Sequence, residues 1–372
     1  MLYQKPLIVK SNTIQSMPNA DILNHGDFPD WTINKLSWQQ TQLAACSRAA
    51  QNYMCSQVII KAFDSLSGTD KWFGGVLAPS GYIYGIPGSS TTILKIDPTT
   101  DTTTTFGSFA GSYKWYGGVL APNGMIYCTP SSSTTILKIN PTTDATTTFG
   151  DLAGNNKWRS AVLASNGMIY GMPCESTTIL KIDPTTDTAT TFGTVASGTF
   201  KYLGCVLGPN GMIYGIPTSA KTILKIDPFT DTVTTFGVTV DSYVGGVLAF
   251  NGMIYGIPNG GSTILKIDPN TDTVTTFTSV TGTWANGCVT SSGMIYCAPY
   301  SSSTILKIDP TTDTTTTFGS LGATAGKGAG IVLALSGALY CIPGNQTTIT
   351  KIGYFIDDIQ LDFALSRFFN RL

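Results

Sequence analysis

The side chains that proteins use to move protons or clamp anions are scarce in this chain: one histidine (His25), one glutamate (Glu175) and four arginines (Arg48, Arg159, Arg367 and Arg371). General acid–base work and nucleophile activation need such groups in pairs or triads. An enzyme built from this inventory, a lyase or hydrolase, would have to use Asp or Tyr. His25 stands in Asp21-Ile22-Leu23-Asn24-His25-Gly26-Asp27, a polar, turn-rich stretch that reads as a solvated loop histidine rather than half a metal site. Aromatic groups recur instead. Trp72, Trp115, Trp158, Tyr202 and Tyr243 each stand two residues before a Gly-Gly position, Trp284 reads as displaced from that spacing by one residue, and Lys71, Lys114, Lys157 and Lys201 precede the first four. Flat apolar faces among Ser, Thr and Asn suit a carbohydrate, whose C–H faces stack while its hydroxyls need donors and acceptors. The competing reading is that these aromatics pack between neighbouring repeats.

Carboxylates recur in pairs: Asp97 with Asp101, Asp183 with Asp187, Asp227 with Asp231, Asp268 with Asp272 and Asp309 with Asp313. Calcium needs about six to eight oxygen ligands, and the pairs lack that pattern. The first Asp precedes Pro and can bond its own turn, as Asn140 can in its place. Cys128, Cys297 and Cys341 stand where other repeats have glycine, and Cys205 and Cys288 read as replacing the second glycine of Gly-Gly; Cys46, Cys55 and Cys174 complete the eight. They read as small, reduced, structural side chains. No metal and no cofactor is expected.

These groups need a scaffold, and composition says what kind. Charged residues make up 12% of the chain, against roughly 25% in an ordinary domain, while 56 threonines and 40 glycines point to strands divided by turns. A net charge of -1 without a basic cluster excludes a nucleic-acid footprint. No stretch reaches the ~18 apolar residues of a membrane span, and the N-terminus lacks an apolar h-region. The expectation is a soluble protein, neither inserted in a membrane nor exported by a signal peptide.

The scaffold is a repeat. Lys95, Lys138, Lys181, Lys225, Lys266, Lys307 and Lys351 recur every 41 to 44 residues and mark seven units. Each unit holds four short strand-like runs, in the first unit 74–77, 82–86, 92–96 and 102–106. The first two meet at a Ser-Gly or Asn-Gly step (Asn123-Gly124, for example), where both residues are expected to take positive φ. The last two meet at Asp97-Pro98-Thr99-Thr100-Asp101, a type I turn signal. The spacing predicts an all-β, seven-bladed β-propeller of four-stranded antiparallel blades. The seventh unit lacks a fourth strand, whereas residues 56–63 form an orphan run: Phe63 precedes Gly74 by the same 11 residues that separate Phe106 from Gly117. That run is expected to complete the seventh blade, since an open ring would leave sheet edges unpaired.

With its Pro-Asn-Gly-x-Ile-Tyr hairpins and strands ending in Ile-Asp-Pro, residues 56–352 resemble the β-propeller superfamily of YVTN-type and streptogramin-lyase-like repeats. The resemblance implies that loops leading into the innermost strands share one face with loops joining the second and third strands. Streptogramin lyases would imply a catalytic histidine near a glutamate with bound magnesium. Residues 56–352 contain no histidine, so no catalytic residue carries over. Residues 1–55 read as an anchoring arm followed by a helix over about 36–54, and 353–372 as an apolar docking tail. The Thr, Ser and Gly surface resembles that of phage and virus structural proteins, which implies a non-catalytic recognition subunit of a virion, such as a phage tail, fibre or capsid component. It would be assembled in the host cytoplasm, docked to other virion subunits through 1–55 and 353–372, and would bind a host-surface glycan or protein. The alternatives are a cytoplasmic bacterial scaffold or adhesin and the propeller enzyme.

Overall fold

The computed structural model describes residues 59–239, 241–322 and 326–353, and the backbone of two short strands, Leu7–Lys10 and Thr13–Ser16, that pair antiparallel with each other. The expected helix over 36–54, the tail 354–372 and His25 lie outside the described residues.

Among the described residues every regular element is a β-strand, and from residue 59 onward the strands form seven sheets of four. The innermost strands of blades one to seven are Trp72–Leu77, Trp115–Leu120, Trp158–Leu163, Tyr202–Leu207, Tyr243–Leu248, Trp284–Val289 and Gly328–Leu333. Each lies against the next and the seventh against the first, so the ring is closed. The approach is tight: a Cβ on Gly204 would lie 2.4 Å from Gly245 Cα, which is why the first glycine of the Gly-Gly pair recurs. Second strands such as Ile83–Pro87 are buried at every position, because each lies inside its sheet with a blade on either side. Outer strands such as Thr102–Phe106 are exposed at three of five positions, where threonine supplies a β-branched side chain that tolerates water.

Ile59–Phe63 pairs antiparallel with Ile349–Gly353 and is the fourth strand of blade seven. The first hairpin differs from expectation. Gly124 has φ +79° and Asn123 keeps an ordinary φ, with Gly124 N–H donating to Ala121 O at 2.9 Å. The asparagine contributes its side chain instead: Oδ1 accepts from Met125 N at 3.0 Å, while Nδ2 donates to Tyr127 Oη at 3.0 Å and to Pro184 O of the next blade at 2.6 Å.

The Asp-Pro turns divide labour between their two acids. Asp97 Oδ1 accepts the Thr99 amide at 2.8 Å, the expected turn cap. The second acid does more than close its own turn. Asp101, Asp144, Asp187, Asp231, Asp272 and Asp313 all have positive φ, a conformation Asp tolerates better than most residues, and each takes a salt bridge from the preceding blade. Asp144 accepts from Lys95 Nζ at 2.6 Å and from Tyr84 Oη at 2.8 Å. Among the described residues the same Lys–Tyr–Asp staple recurs at six joints and includes the closing one, where Lys351 and Tyr340 of blade seven hold Asp101 of blade one. The third and fourth strands of blade seven come from opposite ends of the repeat array, and Asp357, which follows Lys351 by the same six residues that separate Asp101 from Lys95, lies outside the described residues.

Candidate functional site: the loop face of the channel

The recurrent aromatics lie inside the blade interfaces. Trp72, Trp115, Trp158 and Tyr202 are 3% exposed, and Tyr243 and Trp284 are fully buried. Trp72 packs on Ile83 and Leu94 of its own blade and on Val332, Tyr340 and Ile342 of blade seven. A buried indole N–H needs an acceptor, and each tryptophan of the set donates to a threonine carbonyl: Trp72 to Thr92 O and Trp115 to Thr135 O at 2.7 Å, Trp158 to Thr178 O at 2.8 Å, Trp284 to Thr304 O at 2.9 Å. Their faces are covered by neighbouring blades and are not offered to a ligand, which corrects the reading of them as a ligand-binding ring. Trp284 is also in register: it pairs with Pro299 as Trp72 pairs with Pro87. Asn286 therefore takes the first glycine's place, and Cys288, opposite Tyr296, takes a valine's.

The lysines preceding these positions are buried too. Lys71, Lys114, Lys157, Lys201 and Lys327 are 2–4% exposed, and each ammonium is bonded to backbone carbonyls. Lys114 Nζ donates to Gly88 O at 2.7 Å and Ser90 O at 2.8 Å in blade one, and to Gly111 O at 2.8 Å. Lys157 repeats the arrangement on Ser131, Ser133 and Gly154. Among the described residues no carboxylate pairs with any of the five. Desolvation disfavours the ammonium and pushes Lys114 and Lys157 down to about 8; it moves Lys327 the same way, and Lys71 and Lys201 too, against the opposing charges of Asp70 and Glu175. In blades five and six the corresponding residues are Ser242 and Thr283.

The residue after each of the six buried aromatics, and after Gly328 in blade seven, gives a second set of equivalent positions: Phe73, Tyr116, Arg159, Leu203, Val244, Ala285 and Ala329. This set is one-sided. Phe73 stacks on Tyr116 with centroids 4.4 Å apart and planes 13° apart, and on Tyr113 at 5.9 Å. The Arg159 guanidinium lies 5.0 Å from the Tyr116 centroid and 4.9 Å from that of Phe200. Five planar groups thus run in one stack, Tyr113–Phe73–Tyr116–Arg159–Phe200, across blades one to three and onto the loop into blade four. The end members, Tyr113 and Phe200, are each 41% exposed, and Tyr113 Oη donates to Asp70 Oδ2 at 2.8 Å. Arg159 Nη2 donates to Asn156 Oδ1 at 2.9 Å, whereas its Nε is buried without a hydrogen-bond partner. Arg159 is the only arginine among the described residues, and no carboxylate there lies within ion-pair distance of it. Blades five to seven offer only Val244, Ala285 and Ala329 at these positions.

The stack escapes a search for recurrent residues because it consists of departures from the repeat. The legible signal was the spread from Phe, Tyr and Arg to Val and Ala at one position of an otherwise constant strand.

The comparisons with known proteins agree with the architecture. A family model described as a repeat of unknown function (DUF6923) matches residues 75–208. No curated protein is significantly similar to the chain. Among solved structures, a streptogramin B lyase superposes with a TM-score of 0.70 at 14% identity over 80% of this chain and 98% of its own. Virginiamycin B lyase from Staphylococcus aureus does so with a TM-score of 0.70 at 12% identity over 80% and 99%. The extracellular domain of a hybrid two component system from B. thetaiotaomicron gives 0.61 at 11% identity over 80% of this chain and 43% of that one. At these identities the likeness is one of fold, and the fold is shared by enzymes and by non-enzymatic domains.

Proposed function

We propose that this protein is a non-catalytic recognition module that binds its ligand on the loop face, at the mouth of the channel beside blades one to four. The observation that carries the reading is the one-sided stack ending in two exposed aromatic faces, with an arginine in it that the protein leaves without a counter-charge. Exposed flat faces and unsatisfied donors on a rigid ring suit binding. The groups present are poor at chemistry. Residues 56–352 hold no histidine, while the similar lyase from S. aureus is described as catalytically inactive once a histidine is replaced by alanine. Burial raises the thiols, Cys288 to about 11 and Cys205 and Cys341 to about 12, far from the thiolate a nucleophile needs.

The ligand class proposed is a glycan, displayed on a host surface if the protein is a virion component docked through residues 1–55 and 353–372. The exposed aromatics make the test direct. Tyr113→Ala and Phe200→Ala should each abolish binding to glycan arrays or cells without lowering the unfolding temperature by more than a few degrees. Unchanged binding in the double variant, or turnover of a bound small molecule, would overturn the reading. Co-purification with viral particles at fixed stoichiometry would support the virion assignment.

A further inference from the structure

We infer that the ligand is an acidic glycan, an oligosaccharide whose carboxylate sits on Arg159 while its sugar rings stack on Tyr113 or Phe200. The inference rests on the recognition reading and adds the ligand's charge and the group that reads it.

The lysines of the two faces find different partners. On the turn face Lys95, Lys138, Lys181, Lys225, Lys266 and Lys351 each meet an aspartate at 2.5–2.7 Å. On the loop face Lys71, Lys114, Lys157 and Lys201 meet only carbonyl oxygens within hydrogen-bond distance. All four, and Arg159, belong to blades one to four. Lys327 of blade seven is held the same way; Asp70 and Glu175 act on Lys71 and Lys201 only from beyond ion-pair distance, so the positive charge on this face of blades one to four is not paired within the protein and favours an anion.

Arg159 is the group of this set that can touch one. The lysine ammonium groups are enclosed and saturated by carbonyls. The guanidinium has its faces covered by Tyr116 and Phe200 and spends one N–H on Asn156, which leaves Nη1 without a protein acceptor. Planar guanidinium edges match carboxylates in a two-bond fork, and a half-buried cation gains most from a partner that replaces lost water. A single two-bond fork fits a monoanionic carboxylate better than a phosphate dianion. Exposed Phe200 covers one face of the guanidinium, exposed Tyr113 ends the same stack on the far side of Phe73, and Ser89 and Ser219 stand beside Tyr113 and Phe200, so the carboxylate belongs on a ligand with C–H faces and hydroxyls.

The test is isothermal titration of the full chain with sialyllactose and tetragalacturonate, each beside its carboxyl-reduced form, and with a sulfated neutral oligosaccharide, an acidic peptide and inorganic phosphate as further arms. At least one acidic sugar should bind roughly tenfold to hundredfold more tightly than its reduced form, the range of one charge-assisted contact. R159Q should abolish that preference and R159K should retain part of it, with both variants unfolding cooperatively. Equal affinity for the reduced sugars, a preference that survives R159Q, or binding only of the sulfated sugar, peptide or phosphate would overturn the inference. If neutral sugars bind and Tyr113→Ala removes that binding, the recognition reading stands and the charge assignment alone fails. If no sugar binds, both fail.

Discussion

The two faces of the ring use the same residue type in opposite ways. On the turn face, lysines bridge to aspartates of the next blade, six times over, with a tyrosine hydroxyl on the same carboxylate. On the loop face, lysines bridge to backbone carbonyls of the preceding blade with no ion pair among the described residues, and only in blades one to four and seven. Both arrangements tie blades together, but the first balances its charge within the protein and the second leaves it over. Where the repeat is regular the chemistry is closed. Where it departs from regularity, at Phe73, Tyr116, Arg159 and Phe200, surface and charge remain for something else.

The closing strand gives the largest expected effect. Blade seven is held by the pairing of Ile59–Phe63 with Ile349–Gly353, so a chain beginning at residue 64 should lose cooperative urea unfolding and aggregate; an unchanged midpoint would mean that the six stapled joints suffice. Next come the buried aromatics. Trp158→Ala should destabilise by about 3–5 kcal/mol, the usual cost of emptying a large core site, measurable as a shift in the urea midpoint. A loss below about 1 kcal/mol would return that side chain to the list of ligand contacts.

The faces themselves can be set against each other with smaller changes. Asp144→Ala leaves Lys95 and Tyr84 without their acceptor and should cost roughly 1–3 kcal/mol, with the half-exposed ion pair contributing only part of it. Lys114→Met removes an uncompensated charge together with its hydrogen bonds and should cost less than Asp144→Ala in the same denaturation assay. The reverse order would mean that the carbonyl cage matters more than the staple.

The subtlest test is alkaline titration. Lys181, Lys225 and Lys266 feel desolvation, but the hydrogen bonds they donate to their aspartates and the neighbouring charge outweigh it and hold them above the usual lysine value. Lys114 and Lys157 lie near 8. For a lysine lowered on folding, the native state binds fewer protons than the unfolded chain, so its contribution rises with pH between about 8 and the ordinary value near 10.4. For a raised lysine, stability is present below the ordinary value and is lost as pH climbs through the folded one. Methyl-labelled lysines followed by NMR should titrate in two groups, the loop-face pair first. At the acid end, Asp187 feels desolvation that would raise it, but Lys138 and Tyr127 hold it below the usual carboxylate value. The turn-face staple should therefore be lost only as pH falls below about 4, and a calorimetric midpoint that stays flat to pH 3 would argue against it.

Blade number, strand order and the closing strand were legible in the sequence because each is a matter of spacing: a constant interval between lysines, a missing run at one end and an orphan at the other. The Asp-Pro turns were legible only halfway. Capping by Asp97 is local and follows from its neighbours, but the role of Asp101 depends on Tyr340 and Lys351, which lie some 240 to 250 positions away. The aromatics at Trp72 and its equivalents were the least legible. A tryptophan at a strand end looks the same in sequence whether its face meets water or a neighbouring blade.

By itself, then, the sequence determined the unit, the number of units and how the ring shuts, since backbone pairing and turn formation depend on residues close along the chain or at fixed intervals. Tertiary structure decided which charges find partners and which flat faces stay open, because both depend on what the adjacent blade brings within a few ångströms. Arg159 between Tyr116 and Phe200 is the product of three consecutive units that each break the pattern at or near one position, and only stacking the blades places those exceptions side by side.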